Sequence, residues 1–314
     1  MKVISIIVPC FNEEEVLPIY YNAMLEVRKE ISEATIELIF VDDGSKDGTL
    51  ELLKQFHEKD DNCQFLSFSR NFGKEAAIYA GLQHAKGDYV GLMDVDLQDP
   101  PEMLIQMYHI LEEGEYDCVG TRRTDRKGEP IIRSFFSDCF YKFINKISDV
   151  KIVSGARDYR LMTRRMADAV LQISEKERFS KGIFEWVGFE TKWLEYHNTE
   201  RVAGETKWSF NKLLMYSLQG ITCFSVSPLY LASGIGTLFC GISFLFLVFI
   251  LVRTMVWGDA TPGWPSLVCI ILLISGIQLL CLGIIGQYLS KTYLETKDRP
   301  LYLLKEDSQG ESVR

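Results

Sequence analysis

Short apolar runs recur through the first half of the chain, and each is followed by a polar cluster. Residues 3–8, 36–41, 65–68, 89–93 and 118–120 are predominantly apolar, the pattern of strands covered on both faces. Helical patterns over residues 49–59 and 74–85 fall between them. Pro9 is expected to close the first strand, and Asn12-Glu-Glu-Glu15 to open a helix, where negative charge is favoured. Strands alternating with helices predict an α/β domain built on a mostly parallel sheet. Its polar clusters then gather at the carboxyl ends of the strands, the edge where open α/β sheets bind ligands.

The pattern changes in the last third. Residues 224–252 and 264–290 contain no charged side chain, and each exceeds the roughly 20 apolar residues that a bilayer crossing requires. Two transmembrane helices are predicted, joined by a short loop over 253–263. Lys291, Lys297, Arg299 and Lys305 follow the second span, whereas the loop holds only Arg253 and Asp259. The positive flank belongs in the cytoplasm, so the large N-terminal domain is expected on the inner face of a multi-pass inner-membrane protein. Residues 209–223 suit an interfacial amphipathic helix and equally an ordinary core-packing one. The expected organisation is a catalytic domain over 1–208, that juxtamembrane segment, the spans within 224–290 and a cytoplasmic tail over 291–314. Glycines in both spans, such as Gly236 and Gly283, permit close helix contact and association of copies.

Composition narrows the function. Asp and Glu number 43 against 34 Lys and Arg, a formal net charge of -9, which argues against general nucleic-acid binding. The 8 cysteines form no Cys-x-x-Cys pair and read as reduced, buried hydrophobes. The N-terminus reads as a strand rather than a signal peptide. No Gly-x-Gly-x-x-Gly follows the first strand and no Walker sequence is present, which excludes ordinary dinucleotide and P-loop sites.

The run Met93-Asp-Val-Asp-Leu-Gln-Asp-Pro-Pro101 carries the most specific chemistry. Asp94 and Asp96, one residue apart at a strand end, are expected to point the same way. Two hard oxygen donors side by side suit Mg²⁺ or Mn²⁺ on a diphosphate, and the same residue types also suit a polar surface turn. Asp42 and Asp43, in Asp42-Asp-Gly-Ser-Lys-Asp-Gly-Thr49, offer acceptors to a base or ribose or build a β-turn. Gly44 and Gly48 permit a tight turn there.

Together Ser5-Ile-Ile-Val-Pro-Cys-Phe-Asn-Glu-Glu14, Val41-Asp-Asp-Gly-Ser-Lys-Asp-Gly-Thr49, Arg70-Asn-Phe-Gly-Lys74, the Asp94–Asp96 run and Gly155-Ala-Arg-Asp-Tyr-Arg-Leu-Met162 resemble family 2 glycosyltransferases. More narrowly, the chain is similar to the polyprenyl-phosphate (bactoprenol) glycosyltransferases, relatives of dolichol-phosphate mannose synthase. The resemblance implies a GT-A fold, a nucleotide-sugar donor such as UDP-glucose or UDP-N-acetylglucosamine, Mg²⁺ or Mn²⁺, and undecaprenyl phosphate as acceptor. It implies Pro9, Glu13, Asp42 and Asp43 near the nucleotide, and Arg201 and Lys207 either close over its phosphates or lie in a solvated loop before the membrane. Asp94 and Asp96 would meet the ribose, diphosphate and metal, with Gln98 as a further metal contact. Arg122, Arg133 and Ser137 would hold the acceptor phosphate; the same basic run also suits anionic headgroups. Asp158 would join Asp94 and Asp96 in catalysis by orienting a substrate, or simply pair with Arg157 or Arg160. A processive polysaccharide synthase would carry a Gln-x-x-Arg-Trp motif, which is absent, and a membrane-tethered scaffold would have no need of the aspartates.

Overall fold

A computed structural model describes residues 1–123, 153, 155–173, 175–196, 227–257 and 263–310. Eight strands form one sheet: β1 (Lys2–Cys10), β2 (Ala34–Asp42), β3 (Cys63–Phe68), β4 (Tyr89–Leu92), β5 (Cys118–Arg123), β6 (Ala156–Thr163), β7 (Thr191–Tyr196) and β8 (Leu304–Asp307). Their order is β7-β5-β6-β4-β1-β2-β3-β8. The β4-β1-β2-β3 centre is parallel throughout, as is the β5–β7 pair. β6 runs antiparallel to β4 and β5, and β8 antiparallel to β3. This is the mostly parallel sheet that the sequence leads one to expect.

Helices cover both faces. On one side Tyr20 and Met24 of α1 (Leu17–Glu30), Leu53 and Phe56 of α2 (Thr49–Lys59), and Leu104 and Met107 of α4 (Met103–Glu112) pack on Ile4, Ile6 and Val8. On the other, Ile7 and Ile39 meet α3 (Lys74–His84), Met166 and Val170 of α5 (Arg164–Gln172), and Ile183 and Phe184 of α6 (Ser180–Trp186). Alternate residues of β1 thus serve opposite cores, which explains its unbroken apolar run. Cys10, Cys63 and Cys118 are buried free thiols whose ionisation burial suppresses.

Two expectations change. β1 does not stop at Pro9 but continues to Cys10. The Met93 amide donates to the Ile7 carbonyl and the Asp43 amide to the Cys10 carbonyl, so odd residues of β1 face β4 and even ones face β2 at this end. Pro9 therefore faces the side where β4 has already ended, and its missing N–H leaves no ladder bond unmade. The first helix starts at Leu17 rather than Asn12, with Pro18 in its first turn and no acidic residue there. Glu14 instead accepts from the Gly48 amide at the start of α2, at 2.6 Å.

Two long helices follow, α7 (Ser227–Trp257) and α8 (Trp264–Lys297). They touch where the Cys281 thiol meets the Ala232 carbonyl at 3.6 Å. Among the described residues, one stretch, Leu273–Lys297, is long and apolar enough to cross a membrane by the combined test of length and hydropathy. The expected interfacial helix lies outside the described residues. Through residue 310 the expected tail is structured: α8 runs on to Lys297, and β8 then pairs with the edge of β3.

α3 approaches β1 closely at Gly81, where a Cβ would stand 2.2 Å from Cγ2 of the fully buried Ile7. Gly81→Val is expected to force α3 off β1 and to lower unfolding stability by about 1–3 kcal/mol, read as a reduced Tm in detergent.

Candidate active site

The strand order reverses between β1 and β4, so the loops leaving their carboxyl ends part and open a crevice. One wall is the loop after β1. Asn12, at φ 53°, accepts from the Lys46 amide (2.9 Å), and its own amide donates to Ser45 Oγ (2.9 Å). The Glu13 amide donates to Thr49 Oγ1 at 2.9 Å. These bonds join the loops after β1 and β2 into one wall, with Glu13 half-buried beside the crevice.

Asp42 and Asp43 build that wall from inside. Asp42 is 1% exposed and accepts from the Ser45 amide (2.9 Å) and Ser67 Oγ (2.8 Å). Asp43, 4% exposed, accepts from the amides of Phe72 (2.6 Å) and Gly73 (2.9 Å). Burial raises the Asp43 carboxyl above its usual range, against the pull of those two amides. The expected acceptors for base and ribose are therefore already engaged by the chain's own donors. Gly44, at φ 69°, makes this possible: a Cβ would sit 2.5 Å from the Arg70 carbonyl carbon.

The other wall is the loop after β4. Asp94 and Asp96 lie just beyond the strand, which ends at Leu92, in a turn rather than on the strand itself. Both are half-buried while Val95 between them is buried. Asp96 Oδ1 accepts from the Gln98 amide at 3.2 Å across Leu97, which is held at φ 53°.

Lys74, first residue of α3, ties the site together. Its ammonium lies 2.7 Å from Asp94 and 2.5 Å from Asp158. Lys181 adds a second cation 3.8 Å from Asp158 and donates to the Ala156 carbonyl at 3.1 Å. The partners expected for Asp158, Arg157 and Arg160, are thus replaced by two lysines. Burial opposes the charge on Asp158, but Lys74 and Lys181 outweigh it and hold the carboxyl well below the usual range. Burial likewise opposes the Lys74 charge, and Asp158 and Asp94 hold the ammonium firmly protonated.

Arg157 turns the other way. It donates to Asp99 (3.1 Å) and to the Gln98 amide oxygen (3.1 Å), which also accepts from Arg123 at 3.2 Å. Asp99, 2% exposed, also accepts from the Tyr196 hydroxyl. Burial, with Asp99 beside it, pushes that hydroxyl up to about 12. Gln98, expected at a metal, is thereby held by two guanidinium groups. Arg160, 1% exposed, places its guanidinium carbon over the Phe184 ring at 3.9 Å. Arg122 pairs with Glu195 on the neighbouring strand. Arg133, Ser137, Arg201 and Lys207 lie outside the described residues.

Sequence reasoning overlooked Lys74, Lys181, Asp99 and Tyr196 as site residues. Lys74 ends the Arg70-Asn-Phe-Gly-Lys74 motif, and a cation at a helix start is unfavourable to the helix dipole, which is the signal that marks it. Among the described residues no group of three or more His, Cys, Asp or Glu side chains is gathered as a metal cage. Two adjacent carboxylates do fit a Mg²⁺-type ion, which takes one or two protein carboxylates and completes its shell with substrate phosphates and water.

The family model for Glycosyl transferase family 2 matches residues 5–171. The chain belongs to glycosyltransferase family 2. An uncharacterized glycosyltransferase, YkcC, of Bacillus subtilis (strain 168) is 41% identical over 99% of this chain and 95% of its own length. Bactoprenol glucosyl transferase of Shigella phage SfX is 42% identical over 96% of this chain and 98% of its own. The subgroup implied by the sequence motifs is the one found. Among solved structures, glucosyl-3-phosphoglycerate synthase from Mycobacterium tuberculosis, in complex with Mn²⁺ and UDP-glucose, matches at 19% identity over 70% of this chain and 77% of that one, TM-score 0.44.

Asp43→Asn replaces one acceptor by an amide that opposes the Phe72 or Gly73 N–H. It is expected to cost about 1–3 kcal/mol of stability with no nucleotide present, measured by thermal unfolding of the ligand-free protein.

Proposed function

We propose that the protein is a membrane-anchored hexosyltransferase that moves glucose or N-acetylglucosamine from its UDP conjugate to undecaprenyl phosphate, supplying a lipid-linked sugar for cell-envelope glycosylation. The observation that carries this is the pair Asp94 and Asp96 at the mouth of the β1–β4 crevice, in a chain with full-length bactoprenol glucosyl transferase relatives. Asp96 with Asp94 would hold Mg²⁺ or Mn²⁺, which stabilises the charge of the departing diphosphate. Because Lys74 already neutralises Asp94, a bound ion would share that carboxylate with the ammonium, which Asp158 holds as well.

The nucleotide lies along the wall of Pro9, Glu13, Asp42 and Asp43. The two aspartates act chiefly by fixing the loops, and Arg201 and Lys207 close over the phosphates. The acceptor needs no strong base, since a phosphate monoester is anionic at neutral pH. Asp158 suits that requirement: with its proton affinity suppressed by two lysines it is a poor base and a good anchor for Lys74. Arg122, Arg133 and Ser137 hold the lipid phosphate in line with the anomeric carbon, with Arg122 exchanging Glu195 for the phosphate. Direct attack inverts the sugar, so an α-linked donor gives a β-linked product.

In this reading α7 and α8 both cross the inner membrane and the sheet lies on its cytoplasmic side. The catalytic unit comprises residues 1–208 together with β8 rather than 1–208 alone.

Membranes carrying the protein, given labelled UDP-sugars, Mn²⁺ and polyprenyl phosphate, are expected to form a chloroform-extractable β-linked sugar conjugate. Chelation abolishes it, added Mg²⁺ or Mn²⁺ restores it, and Asp96→Ala lowers the rate by about a hundredfold or more. Product that persists at the wild-type rate in Asp96→Ala, or that needs no lipid phosphate, contradicts the reading.

A further inference from the structure

α8 is one helix of 34 residues, about 51 Å at 1.5 Å per residue, well beyond the roughly 30 Å of a hydrocarbon core. Its last turns carry Lys291, Glu295 and Asp298, the last as the helix C-cap. Their spacing of four and then three places all three on one face. That face meets two consecutive residues of the catalytic domain. Lys291 pairs with Glu177 at 2.8 Å, Glu295 accepts from the Lys176 amide at 2.6 Å, and Asp298 pairs with the Lys176 ammonium at 2.8 Å.

The segment held in this way leads straight to the active site. Next to Glu177, Arg178 is 3% exposed and lies over the Tyr79 ring of α3 at 4.5 Å. Ser180 donates through its amide (3.0 Å) and its hydroxyl to Glu75, the neighbour of Lys74. Lys181 then reaches Asp158. Residues 176–181 therefore touch the end of the membrane helix at one end and the Lys74–Asp158–Lys181 group at the other.

We propose that the end of α8, through Glu177 and Lys176, is a positioning device that sets the Lys74–Asp158–Lys181 group of the active site, making transfer to a lipid phosphate depend on the seating of the membrane helix. Glu177, Lys176, Lys291 and Glu295 are positioning residues, since none reaches Asp94 or Asp158 directly. The device rests on the proposed lipid-phosphate transfer for its purpose, but not for its existence. A surface ion pair alone contributes little, about 0–1 kcal/mol. Here the effect comes from three contacts on one face, of which Lys291–Glu177 is partly shielded from water, acting on a segment that cannot shift without moving Lys181.

The test is a charge swap in the full-length protein: Lys291→Glu, Glu177→Lys and the double variant. Each single reversal is expected to slow transfer to polyprenyl phosphate about tenfold, leave the UDP-sugar Kd within about twofold, and speed amide hydrogen exchange over residues 175–181; the double variant restores both rate and protection. Glu295→Ala, which reverses no charge, is expected to speed exchange over the same segment. Wild-type transfer and exchange in Lys291→Glu, or a double variant no better than the singles, overturns the proposal. A wild-type protein that makes no lipid conjugate refutes the proposed function instead, and the exchange data still decide the coupling.

Discussion

The pairing of β4 with β1 ends at Leu92 and Ile7, while β1 continues beside β2 to Cys10. That unequal length is the constraint on which the site depends. It parts the two loops at the strand-order reversal, lets Pro9 sit in a central strand without loss, and turns Asp94 and Asp96 out over a gap rather than into a ladder. A longer β4 would have drawn Asp94 into pairing with β1 and closed the crevice. The wall opposite is then fixed by buried carboxylates, because a loop lining a gap has few backbone partners and must borrow side-chain acceptors.

Electrostatics at the rim follow from the same gap. The chain is acidic as a whole, yet its proposed substrates are anionic, so cations must be concentrated where they bind. Lys74, Lys181, Arg123 and Arg157 gather there, each held by a carboxylate, an amide oxygen or a carbonyl. Half-buried charges without partners would be costly, and paired ones can be exchanged when a phosphate arrives. Asp94 is the shared point: it already holds the Lys74 ammonium, which Asp158 also holds, so in the proposed reaction a divalent ion would meet a carboxylate that is already paired.

The parallel centre was legible because strands covered on both faces are continuously apolar, and Asp94 and Asp96 stood out at the end of such a run. The antiparallel strands were not legible. β6 carries Arg157, Asp158 and Arg160 in succession with apolar residues, and the Phe184 ring together with the Asp158 and Arg157 carbonyls makes a buried Arg160 acceptable. β8 reads Leu-Lys-Glu-Asp, the charged composition that suits a sheet edge and gives no strand signal. The acidic cluster after β1 misplaced the helix start because its charge serves the start of α2, a partner distant in sequence. Asp43 looked like a ligand contact for a similar reason: its residue type was evident, but the amides of Phe72 and Gly73 that claim it come from another loop.

The antiparallel register of β8 carries one more consequence. Leu304 lies against Phe68 at the carboxyl end of β3, and the Ser69 amide donates to the Leu303 carbonyl. The chain leaving α8 thus enters the sheet from the carboxyl edge, the edge that bears Asp94, Asp96 and Lys74. The link from Lys297 to Leu304 spans at most about 25 Å fully extended. A parallel β8 would have required the link to run the height of the sheet first and would have put the helix end beside the opposite edge. Strand direction alone therefore brings the end of the apolar helix and the mouth of the crevice to the same side of the molecule. An acceptor whose phosphate stays at the bilayer surface needs that placement, and a freely diffusing acceptor does not.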